Sequence, residues 1–231
     1  MRRFIGYLPE NNPLYPEMYV REYLQFAASL YKTDLPVREQ IDNIIKITGL
    51  QPEQKKKIGS LSKGYRQRVG LAQALIHNPD VLILDEATTG LDPNQIVEIR
   101  NLIRDAGQEK TVMLSTHIMQ EVEAICGRVI IIDKGVIVAD EQKSDIYSKI
   151  SRARQTILVE FDRDADEALL RAIPGAGTVR KAKDRIWIIE APGETDIRPA
   201  IFSFAVSNSL TVLSLQKQES NLEEVFRILT S

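Results

Sequence analysis

Leu61-Ser-Lys-Gly-Tyr-Arg-Gln-Arg68 opens an amphipathic run, and behind it come Val81-Leu-Ile-Leu-Asp-Glu86, Gly90-Leu-Asp-Pro93 and Ser115-Thr-His117. The first stretch places a serine and a glycine ahead of a helix. That arrangement prepares the helix N-terminus to hold an anion with backbone N–H groups and the positive end of its dipole. The second is an apolar strand that ends in two carboxylates. Delivered at an exposed strand end, one of them can hold Mg²⁺ while the other orients or deprotonates an attacking water. A further apolar strand, Thr111-Val-Met-Leu114, leads to His117, so a neighbouring strand end brings an imidazole toward the same phosphate.

Each residue also has a plainer reading. Ser62 and Asp92 can serve simply as helix caps, Asp92 standing immediately before Pro93. Asp85 and Glu86 can be a polar strand end, and Glu10, in Leu8-Pro-Glu-Asn-Asn-Pro13, an ordinary turn residue. His77, ahead of Asn78-Pro79, reads as a partner for a helix C-terminus and is left out of the site. It is the order and company of the four stretches that favour phosphate chemistry.

Taken together, residues 4 to 140 resemble the nucleotide-binding domains of ABC-type ATPases, whose signature helix, Walker B strand, D-loop and switch histidine follow in this order. The nearest flavour is the ATP-binding subunit of ABC-2-type exporters. Leu61 to Leu75 and Asp85 to Asn94 look like gliding-motility ATP-binding subunits. The resemblance implies ATP and Mg²⁺ as cofactors and a head-to-tail dimer with a second ATP-binding subunit. It further implies that Ser62, Lys63 and Gly64 face nucleotide, that Asp92 contacts the opposite subunit's site, and that Asp85 holds the metal. Glu86 then acts on water and His117 steadies the γ-phosphate. Glu10 stands where a Q-loop glutamine is expected, as a second candidate metal ligand. Lys63 and Tyr65 replace a glycine and a glutamine, and Ala87 replaces a proline.

One part of the motif set is absent from the sequence. A phosphate loop requires Gly-x-x-x-x-Gly-Lys-Ser/Thr, and no Gly-Lys dipeptide occurs in the 231 residues. Similar proteins reach a strand such as Met1 to Pro9 only after that loop, so the expectation is an ABC ATPase core lacking its N-terminal part. Such a chain would supply only the signature half of a composite site. The alternatives are a degenerate, non-hydrolytic binding module and a soluble ABC ATPase outside transport.

Composition narrows the setting. The chain is 43% hydrophobic and 27% charged with a net charge of −2, without the basic excess of a nucleic-acid binder. One cysteine, Cys126, cannot form an internal disulfide, and His77 and His117 cannot build a zinc site alone. No apolar run reaches the length of a membrane span. The expectation is a cytoplasmic protein, peripheral on the inner face of the cell membrane, working with a separate membrane-spanning permease.

Helical periodicity at 20–30 and 37–47, with a third helix starting at the Ser62 cap, predicts a helical subdomain over about 14–78. Strands 81–85, 111–114, 128–134 and 136–140 and helices 94–107 and 117–126 complete an α/β unit over residues 1–140, with a largely parallel sheet. Residues 141–154 read as a linker. Beyond it, a β-α-β-β-α-β order and a last helix at 221–229 predict a small ferredoxin-like α+β domain over 155–231, regulatory or dimer-forming.

Overall fold

The computed structural model of the protein describes residues 4–31, 36–193, 195–218 and 222–230. Of the expected elements, Met1 to Arg3 and Asn221 lie outside these. The chain divides into two compact units, Met1–Cys126 and Gly127–Ser231.

In the first unit, β1 (Ile5–Leu8), β2 (Val81–Asp85) and β3 (Thr111–Ser115) form a parallel sheet in that order. Alternation of apolar residues decides which side of β2 is buried: Leu82 and Leu84 are fully covered, whereas Val81, Ile83 and Asp85 are not. Among the described residues, five α-helices accompany the sheet: α1 (Val20–Ser29), α2 (Val37–Ile47), α3 (Lys63–Leu75), α4 (Pro93–Ala106) and α5 (Met119–Ile125). The first three pack through Leu24, Ile41, Ile44, Leu71 and Ile58, the last on a short 3-10 turn at Ile58–Ser60. Strand β1 runs so close to α3 that a Cβ on Gly6 would lie 2.1 Å from the Ala74 carbonyl oxygen, and only glycine fits there.

The third helix starts one residue after its Ser62 cap, as the sequence indicates. The helix expected from residue 117 begins instead at Met119. The Glu86 carboxylate accepts the His117 backbone N–H at 3.2 Å, and the Thr116 hydroxyl accepts that of Ile118 at 3.1 Å, which holds these residues out of the helix.

His77 follows directly on the end of α3 and packs inward. Its Nε2 lies 3.2 Å from the Ile5 carbonyl oxygen, and its ring stacks on Tyr31 with centroids 3.9 Å apart. Burial pushes its pKa down, outweighing the hydrogen bond to Ile5, and Lys110 adds to the fall. A histidine whose folded pKa is lowered contributes stability that is complete above the ordinary value of about 6.5 and declines as pH falls below it. The urea midpoint should therefore drop between about pH 7.5 and 5.5 more steeply in the native protein than in His77→Gln. Equal slopes would refute this.

In the second unit, β4 (Arg128–Asp133) and β5 (Val136–Gln142) form an antiparallel hairpin, and α6 (Lys143–Ala153) follows directly. The division expected at 141–154 thus falls earlier, and most of that stretch is helix. Lys143 donates its N–H to the Gly127 carbonyl at 2.8 Å and Ile146 is buried, tying the helix to the base of the hairpin.

Then come β6 (Arg154–Phe161), α7 (Glu167–Arg171), β7 (Val179–Lys183), β8 (Ile186–Pro192), α8 (Arg198–Ser207), β9 (Val212–Gln218) and α9 (Leu222–Leu229). The sheet order β7-β8-β6-β9 is antiparallel throughout, the arrangement that a split β-α-β repeat produces. Its core gathers Ile157, Val159, Phe161, Leu170, Trp187 and Ile189. Among the described residues, no helix is long and apolar enough to cross a membrane.

Candidate nucleotide site

The parallel register brings Asp85 beside Ser115 at the ends of β2 and β3. The chain then turns sharply: Glu86 adopts a φ of +49°, in the left-handed region that a non-glycine residue occupies at a cost of about 1–2 kcal/mol. Its N–H donates to the Ser115 carbonyl at 3.0 Å, and its own carbonyl accepts from Thr89 at 3.2 Å. The strain aims the carboxylate across to the next strand end.

There it meets His117. Nδ1 of the imidazole lies 2.7 Å from Glu86 Oε1, while the Thr89 hydroxyl donates to Oε2 at 2.7 Å. Burial alone pushes the Glu86 carboxyl up, but these hydrogen bonds and the imidazole's charge outweigh it and hold it below the ordinary value. The same bond and the Glu86 charge raise His117, with Glu121 and Glu10 acting in the same sense. A protonated His117 keeps Nδ1 on Glu86 and leaves Nε2–H as a second donor for an anion.

The other expected residues gather around the α3 N-terminus. Ser62 accepts the Tyr65 N–H at 3.4 Å, leaving the N–H groups of Lys63 and Gly64 outside the helix ladder. Asp92 caps α4 through the Gln95 N–H at 2.9 Å. Gly64 is buried against the Gln95 side chain, and the Lys63 ammonium lies over Gly90, whose φ is +71°. Lys63 is nevertheless exposed. Glu10 sits on an exposed bend.

As a metal site, Asp85 fits Mg²⁺ only in company. Among the described residues, no group of three or more His, Cys, Asp or Glu could hold an ion alone. Mg²⁺ commonly takes one or two carboxylates and completes its shell with waters and substrate phosphates. The α3 N-terminus, with Ser62 and Lys63 exposed, suits a phosphate.

Sequence reasoning missed Thr88, Thr89, Arg100 and Glu121. Glu121 had a signal: it shares the apolar stripe of α5 with Val122 and Ile125, a position where a charge is out of place.

The strand ends carrying Asp85, Glu86 and His117, and the helix N-terminus capped by Ser62, belong to one α/β unit. The family profile "ABC transporter" matches residues 1–89. The linearmycin resistance ATP-binding protein of Bacillus subtilis is 33% identical over 235 residues, covering 98% of this chain and 74% of that one. For the bacitracin transport ATP-binding protein of Bacillus licheniformis the identity is 32%, over 97% and 72%. Among solved structures, cbiO1 from Clostridium perfringens, part of an ABC transporter complex, aligns with a TM-score of 0.57 at 30% identity, over 64% of this chain and 61% of that one. The chain belongs to the family of ABC transporter ATP-binding proteins and has their α/β fold.

Proposed function

We propose that this chain is the ATP-binding and ATP-hydrolysing subunit of an ABC exporter, acting at the cytoplasmic face of the membrane with a separate permease. The observation that carries the reading is the Glu86–His117 pair beside Asp85 at adjacent strand ends. Bound ATP would supply the γ-phosphate and its Mg²⁺ the charge that offsets it. Asp85 would hold the metal, with Glu10 as a second candidate ligand. Glu86 accepts the proton of the attacking water, and His117 donates through Nε2 to the γ-phosphate oxygens while Nδ1 stays on Glu86.

Ser62, Lys63 and Gly64 present backbone N–H groups and a cation to the nucleotide held by a second ATP-binding subunit, head to tail, with Asp92 at that junction. The phosphate loop that such residues face, Gly-x-x-x-x-Gly-Lys-Ser/Thr, does not occur in the 231-residue sequence. Export is supported by the relatives concerned with bacitracin transport and linearmycin resistance. The narrower likeness to gliding-motility subunits rests on the wording of 61–75 and 85–94 alone.

Isolated from its own cells in mild detergent, the protein should bring down a membrane-spanning subunit, and that complex should bind Mg-ATP. Recovery free of any membrane protein would overturn the reading in favour of an ABC ATPase outside transport.

A further inference from the structure

Glu121 is fully buried, yet the roles assigned above make no use of it. Its Oε1 accepts the Thr88 hydroxyl and lies 3.9 Å from Arg100 Nη2. Its Oε2 and Arg100 Nε have no partner among the described residues. Burying a carboxylate is costly unless it is well paired, and an apolar side chain at the same place would often be as stable or more so. This carboxylate is only partly satisfied, so stability is a poor account of it.

Its position is more telling. Thr88 lies two residues beyond Glu86, Arg100 belongs to the helix that Asp92 caps, and Glu121 to the helix entered from His117. A single carboxylate joins all three segments that lead to the site. We infer that Glu121 is a positioning residue: through Thr88 and Arg100 it sets the Glu86 turn against the α5 entrance, so that Glu86 and His117 meet. The inference rests on the roles proposed for that pair, but its geometry stands without nucleotide. Thr88 is also buried, so the link runs inside the unit, beyond the reach of solvent.

The chain holds only two histidines, which makes the test direct. Long-range ¹H–¹⁵N spectra of the full chain at one fixed pH read the ring nitrogens of both. His77, held by Ile5 and Tyr31, reports on the same unit without touching the cluster. In Thr88→Val and Glu121→Gln, His117 should lose the signature of an Nδ1 hydrogen bond while His77 keeps its shifts, and Thr88→Ser should restore the native His117 spectrum. If Glu121→Gln does not fold, the two Thr88 variants carry the test alone. An unchanged His117 in Thr88→Val overturns the positioning role. So does a displacement of both histidines together, which marks general loosening of the unit. Since no ATP enters the measurement, a chain that proves hydrolytically inert can still pass it, and an active one can still fail.

Discussion

Glu86→Gln, introduced into the assembly purified with its partner subunits, should lower ATP turnover about 10²–10⁴-fold, the usual worth of a general base, and leave Mg-ATP binding in place. The carboxamide has the shape of the carboxylate, and its oxygen can still accept from Thr89, whose hydroxyl holds Glu86 Oε2 at 2.7 Å. The turn at φ +49° has no reason to relax. What disappears is basicity, and with it the charge that draws His117 close. Single-turnover measurement with radiolabelled ATP, alongside equilibrium binding, separates the two effects. Turnover equal to that of the native assembly would remove Glu86 from the chemistry.

Phe161→Ala should destabilise the second unit by about 3–5 kcal/mol, the range for emptying a buried aromatic site. Phe161 has no exposed surface and ends β6, where it pairs with Val212 of β9 and packs in the core with Ile157, Trp187 and Ile189. Domains hold only about 5–15 kcal/mol in reserve, so the loss is a large share of the total. Trp187, the only tryptophan in the chain, belongs to the same core and is 2% exposed, which makes its fluorescence the natural reporter. The denaturation midpoint seen by Trp187 should fall sharply. A shift corresponding to less than about 1 kcal/mol would mean that the neighbours collapse into the space and that Phe161 packs less tightly than its burial implies.

Much of this protein could be read from local rules. Ser62 and Asp92 are caps because a short oxygen-bearing side chain ahead of a helical run satisfies a backbone N–H three residues on, and both do so. Val81 to Asp85 is a strand because an apolar run between Pro79-Asp80 and a pair of carboxylates has no better way to bury its side chains. The β-α-β-β-α-β order of the second unit followed from periodicity, and the sheet order observed is the one that such a chain adopts. What escaped was the stretch 141–154, where polar composition suggested a linker. Helix α6 forms there because Ile146 finds a buried place and Lys143 a carbonyl to bond.

By itself, then, the sequence determined most of the elements outside 141–154, the caps at Ser62 and Asp92 and which carboxylates stand at a strand end, since those outcomes depend on neighbours within a turn or two. Only the tertiary structure decided that Glu86 and His117 bond to each other across 31 positions, that Lys63 rests on Gly90, that His77 packs on Tyr31, and that Glu121 is buried under Thr88. The physical reason lies in the sheet. Its register sets Asp85 against Ser115, and from that one alignment the turns beyond each strand are brought within hydrogen-bonding reach, a meeting that no local preference of either segment encodes.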